Sequence, residues 1–156
     1  MINYAYILKQ KEKDNPSPFC RASYLFSNVG DLVYCYGRSL RFPSLREAYM
    51  AEMKLALGDI IMQCRLIHNK IGLKMIYVPN HQYKHDIDRH IVAICYYASL
   101  IIGGPTSTDL MKNVEWILDN VKRICEWYNW NFDEVSHLGF LHVMERFEQF
   151  EKEGWE

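Results

Sequence analysis

Long apolar runs are missing from this chain of 156 residues. The longest, IVAICYYASLIIGG, ends near fourteen residues, too short for a helix to cross a hydrocarbon layer of about 30 Å. Paired cysteines are missing too. The five cysteines, at 20, 35, 64, 95 and 125, form no CxxC and sit among apolar or aromatic neighbours, which argues for buried free thiols in a reducing compartment. There is no HExxH, no GxxxxGK(S/T) and no motif around a Ser or Cys nucleophile, so zincin, P-loop and acyl-transfer chemistry lack support. At the start, MINYAYILKQKEKDN puts its short apolar stretch before the charges, the reverse of a secretory signal; a cytoplasmic protein is expected. Neither sign of charge dominates: 18 Lys and Arg against 19 Asp and Glu give a net charge of -1, which argues against wholesale nucleic-acid binding. No alternating strand pattern appears, KMIYV being the one brief candidate.

What is present is helical spacing. The length is that of one domain, able to bury roughly 70% of its unfolded surface, and a composition 49% hydrophobic, 24% charged and 14% aromatic fits a compact globule. After the KDNPSPF turn, Leu25, Val29, Leu32, Val33 and Tyr36 recur every three or four residues, predicting a helix from Cys20 to about Leu40. RFPS interrupts it. Ser44 then serves as the expected N-cap, with Glu47 completing a capping box, of a helix ending near Ile71 before Gly72. Beyond the linker YVPNHQYKHD, further helices are expected from Asp86 to Ile102, after a cap at Thr106, Ser107 or Thr108, and from Phe132, with Asp133 and Glu134 in its first turn. The expected fold is all-α, a single domain over 1–156: an arm at 1–18, a helical hairpin over 19–78, and a second hairpin with a C-terminal helix over 85–156, about five antiparallel helices in all. A faint echo links the stretches that follow Asp59 and Asp119, as two related hairpins or plain helical periodicity would.

Charge is unevenly placed. Between Phe19 and Val78 eight basic residues face four acids, whereas from Asn131 onward seven acids face Arg146 and Lys152; a solvated acidic face is the simpler account of the latter. The segment HQYKHDIDRH gathers His81, His85 and His90 without a zinc motif and reads as surface histidines at a linker. The aromatic cluster CEWYNWNF reads as closing one end of the core rather than stacking a base.

Chemistry concentrates in two helices. Glu52 and Asp59 are seven residues apart and share a helical face with Ala56 and Gln63, and the apolar flanks would desolvate Asp59. On the preceding helix Asn28 and Asp31 share a face with Arg38. If the two helices form an antiparallel hairpin, Asp31, Glu52 and Asp59 can converge as metal ligands and catalytic groups. Mg²⁺, or Mn²⁺ in its place, suits such oxygen ligands; Arg38, Lys54 and Lys70 are candidates to hold substrate phosphates, with Asn28 and Gln63 beside them. The competing structural reading pairs Asp31 and Asp59 with Arg38, Arg65 or Lys54 inside the bundle.

The phrases NVGDLVYCYGR and EMKLALGDIIMQCRLIHNKIGL resemble the core of the MazG-like nucleoside triphosphate pyrophosphohydrolases, the all-α group that includes the dimeric dUTPases. That family carries ExxE in a phrase like EVGEL and ExxD in a phrase like ELADVL, followed by KLGI. Here NVGDL, ALGDII and KIGL stand in those places, so Asp31 and Asp59 match two motif acids while Asn28 and Ala56 replace the others. FDEVSHLGFLHVMERFEQF is similar to the family's tail, and Arg146 falls where that helix often carries an Arg. The resemblance covers about half the chain. It implies Mg²⁺-dependent cleavage of a (d)NTP to (d)NMP and pyrophosphate in a homo-oligomer, a dimer or tetramer; with two acids missing, the alternative is an inactive bundle of the same fold that binds a nucleotide or a protein.

Overall fold

A computed structural model describes residues 17–70 and 86–153. Five α-helices run in chain order: α1 (Pro18–Arg41), α2 (Arg46–Lys70), α3 (Ile87–Gly103), α4 (Leu110–Trp127) and α5 (Phe132–Glu153), with a 3₁₀ turn at Pro43–Leu45. Among the described residues there is no strand. The all-α bundle expected from the helical spacing is what forms. KMIYV, His81, His85, Ile71 and Gly72 lie outside the described residues.

Each boundary has a local cause. Ser17 accepts a hydrogen bond from the Cys20 N–H at 3.1 Å and Pro18 fills the first helical position, so α1 begins two residues before the periodicity does. Ser44 does not cap α2; it lies inside the 3₁₀ turn that Pro43 starts, and the α-helix begins at Arg46. Nor do Thr106 or Thr108 cap α4, whose N-cap position is Asp109, with the Ser107 hydroxyl accepting from the Asp109 N–H at 3.2 Å. Two asparagines turn the next corner. Asn129 takes a positive φ of 57° while the Trp130 N–H donates to the Cys125 carbonyl at 2.8 Å, closing α4 in a Schellman motif. The Asn131 side chain then accepts from the N–H groups of Asp133 and Glu134 at 2.9 and 3.1 Å, starting α5.

Packing follows the apolar stripes. Helix α1 lies along α2 and α3, α4 packs on α3, and α5 on α2. Leu25, Leu32, Leu57, Ile60, Ile94, Ile117 and their neighbours form the main core, and Met62, Leu66, Phe140 and Val143 form a second cluster on the α2–α5 seam. Tyr128, Trp130 and Phe132 pack against the core end, as the cluster reading expects, whereas Trp127 is exposed. Cys35, Cys64 and Cys125 are buried free thiols, with Cys20 and Cys95 half-buried. His90 is not a surface histidine: it is buried, and its Nδ1–H donates to Asn120 Oδ1 at 2.9 Å, tying α3 to α4. No helix of the described residues is long and apolar enough to cross a membrane.

Candidate functional site

The site is made by a contact between two backbones. Gly58 in α2 and Gly139 in α5 face each other so closely that a Cβ on Gly58 would stand 2.6 Å from the Val135 carbonyl oxygen, and one on Gly139 would overlap the Gly58 backbone. Any other residue at either position would push the helices apart. Asp59 follows Gly58 directly, and His142 lies one turn beyond Gly139, so the crossing sets these two side chains against each other.

Asp59 is only 5% exposed. His142 Nδ1 lies 2.8 and 2.9 Å from its two carboxylate oxygens, and Arg146 Nη2 lies 3.8 Å from Oδ2. A carboxylate only accepts, so Nδ1 carries the proton and Nε2 is left as the ring's acceptor in the neutral form. Burial pushes the Asp59 carboxyl above the usual aspartate range; the His142 hydrogen bond and the His142 and Arg146 charges oppose the rise, and the Asp31 charge adds to it. Both basic groups remain partly accessible, with side chains 29% and 44% exposed, over a carboxylate that is 7% exposed. The arrangement is a buried anion beside the Arg146 guanidinium and behind an imidazole whose second nitrogen, Nε2, accepts in the neutral ring and donates only when the ring is doubly protonated.

The expected site residues are dispersed by comparison. Asp31 and Glu52 are exposed, and both raise the Cys35 thiol behind its desolvation, so they share a stretch of the α1–α2 seam; Asp31 alone also acts on Asp59. Asn28 is buried with an amide nitrogen that has no hydrogen-bond partner among the described residues, an arrangement that costs about 1–3 kcal/mol. Gln63 is buried and accepts from Arg21 Nη1 at 3.3 Å. Lys54 is turned to the other side of α2, over the Trp130 ring at 5.8 Å. Arg38 donates from Nε to the Tyr34 hydroxyl at 3.0 Å and lies over the Tyr34 and Phe42 rings. Lys70 ends α2, with its side chain outside the described residues.

Mg²⁺ is a poor match to this donor set. Among the described residues no three His, Cys, Asp or Glu side chains are grouped so as to hold a metal ion. The reason is visible in α2: Ala56, buried at 5% exposure, supplies no oxygen one turn before Asp59, and both Asp59 oxygens are already engaged. The ion pairing expected with Arg38, Arg65 or Lys54 is replaced at Asp59 by His142 and Arg146, which the sequence shows only as members of a helix far along the chain. A glycine in the middle of each helix was the available signal. Compared with known proteins, the chain matches no family model, no curated protein and no solved structure.

Proposed function

We propose that the chain is a helical nucleotide-binding module in which His142 and Arg146 take phosphate oxygens and buried Asp59 holds both donors in place. The observation that carries this reading is the pairing of one desolvated carboxylate with a histidine and an arginine one turn apart on α5. Guanidinium N–H groups suit phosphate oxygens, as does the Nε2–H of a doubly protonated His142, and an anchor behind them reduces the freedom lost on binding. The nucleotide itself comes from the MazG-like resemblance of NVGDL, ALGDII and the α5 phrase. Phosphate contact at His142 and Arg146 needs no divalent ion.

The second reading is Mg²⁺-dependent pyrophosphohydrolysis with Asp31, Glu52 and Asp59 as ligands, favoured by one feature: the Asp31 charge acts on Asp59. One experiment separates the two. A panel of ribo- and deoxyribonucleoside triphosphates is added to the full chain in EDTA and in Mg²⁺ or Mn²⁺, following thermal unfolding and pyrophosphate release together. The binding reading expects the unfolding midpoint to rise in EDTA, by about 5–10 °C when the nucleotide is about one hundredfold above its Kd. Arg146→Ala and His142→Ala abolish the rise, and no pyrophosphate forms. Pyrophosphate that appears only with the metal and disappears in Asp31→Asn supports hydrolysis instead.

A further inference from the structure

Helix α1 places an arginine where its periodicity calls for an apolar residue. Arg21 precedes Leu25 by one turn and Leu32 by three, so it shares their core-facing stripe, and it is only 6% exposed. A guanidinium stays charged at any pH a protein tolerates, and keeping it out of water is costly. Gln63 of α2, itself buried, accepts from its Nη1 at 3.3 Å, which orients the side chain without bringing a charge. The same arginine lines a cavity of about 290 Å³, at the end of the bundle where α1 begins and α3 gives way to α4. Ala22, Ile67, Ile101 and Leu110, all buried, form its inner wall, and the exposed Pro18, Thr106 and Ser107 stand at its mouth. Small-molecule sites have this make-up, an apolar wall with a few polar groups that fix orientation. Neither His142 nor Arg146, which engage Asp59, contributes to it.

We infer that this cavity takes a small monocarboxylate with an apolar body, the carboxylate against Arg21 and the body against Ile67, Ile101 and Leu110. The guanidinium carries five N–H donors in a planar fork, enough to serve a ligand oxygen as well as Gln63, and that fork matches the plane of a carboxylate. The wall selects against more strongly hydrated anions. A phosphate or sulfate has three or four oxygens that must each keep a donor, and the side chains of Ala22, Ile67, Ile101 and Leu110 offer none. An apolar ligand without charge would fill the space yet gain nothing from Arg21, whereas a single negative charge on it makes a charge-assisted hydrogen bond. Volume sets the size of the body. A cavity of about 150 Å³ holds benzene, so one of 290 Å³ accommodates a chain or ring system of roughly eight to ten carbons. This inference does not depend on nucleotide binding at α5.

Sodium octanoate titrated into the full chain, followed by calorimetry, tests it, with octanol and sodium acetate as the two halves of the ligand. Octanoate is expected to saturate one site with a Kd on the order of 0.1 mM. Octanol, the same body without the charge, should bind about tenfold more weakly or worse, and acetate at equal concentration should show no saturable binding. Arg21→Met keeps the apolar stem and removes the charge; it is expected to weaken octanoate by about tenfold or more while leaving octanol as it was. The location is read on the parent chain, so it stands even if that variant fails to fold. Nuclear Overhauser contacts from octanoate are expected at the methyl groups of Ile67, Ile101 and Leu110, and not at Val33, which is exposed on α1. Absence of saturable octanoate binding, octanol binding as tightly as octanoate, undiminished affinity in a folded Arg21→Met chain, or contacts at Val33 in place of the cavity methyls would each overturn the inference.

Discussion

Ionising Asp59 carries a cost that the rest of the fold bears. Its carboxyl lies above the ordinary range, chiefly through desolvation, so the native state holds the proton more tightly than the unfolded chain does. The stability this supplies is complete below the unfolded value near ~3.9 and is lost as pH rises through the raised native value. Asp59→Asn keeps an acceptor for His142 and removes the charge. The variant is expected to unfold at higher urea than its parent at neutral pH, the gap closing as the pH falls through the raised native value and gone below about 4; a variant less stable at neutral pH and no closer to the parent in acid would reverse the sign. It should also lose nucleotide binding, since a site that holds strain often exchanges stability for function. Thiols give a second residue-scale prediction. Burial pushes Cys125 up to about 12 and Cys64 higher still, so a thiol reagent added to the native chain should label half-buried Cys20 first and leave these two intact until denaturant is added.

At the scale of elements, the Gly58–Gly139 crossing decides where α5 sits. Gly58→Ala or Gly139→Ala forces backbone against Cβ and is expected to cost on the order of 1–3 kcal/mol or more, measured by denaturant unfolding, while abolishing nucleotide binding by separating His142 from Asp59. Gly103→Ala is the control: its Cβ meets nothing within 4 Å, and it should leave stability unchanged or raise it by up to about 1 kcal/mol. Helix boundaries show what local sequence can and cannot convey. Pro43 and the RFPS break were plain, but Ser44 fits a capping box equally well whether the next residues turn as 3₁₀ or α, and Pro43 settled it as 3₁₀. His90 looked like its linker neighbours; burial came from Asn120, thirty positions away on another helix.

For the whole molecule, the net charge of -1 leaves no general pull on polyanions, so nucleotide binding should rest on the local field of His142 and Arg146. Raising the salt from about 0.05 to 0.5 M is expected to weaken nucleotide binding severalfold, as for exposed ion pairs, whereas adding EDTA at constant salt leaves it unchanged; titration calorimetry measures both, and binding lost to EDTA would return the metal to the site.

By itself the sequence determined the all-helical architecture, the approximate extent of each helix, burial of three of the five thiols and the desolvation of Asp59, because periodicity, proline breaks and capping residues act over a few neighbouring positions. Tertiary structure alone decided what faces Asp59. That choice required two glycines 81 positions apart to bring two backbones together, and no local preference records which remote helix will come close enough to supply a histidine and an arginine.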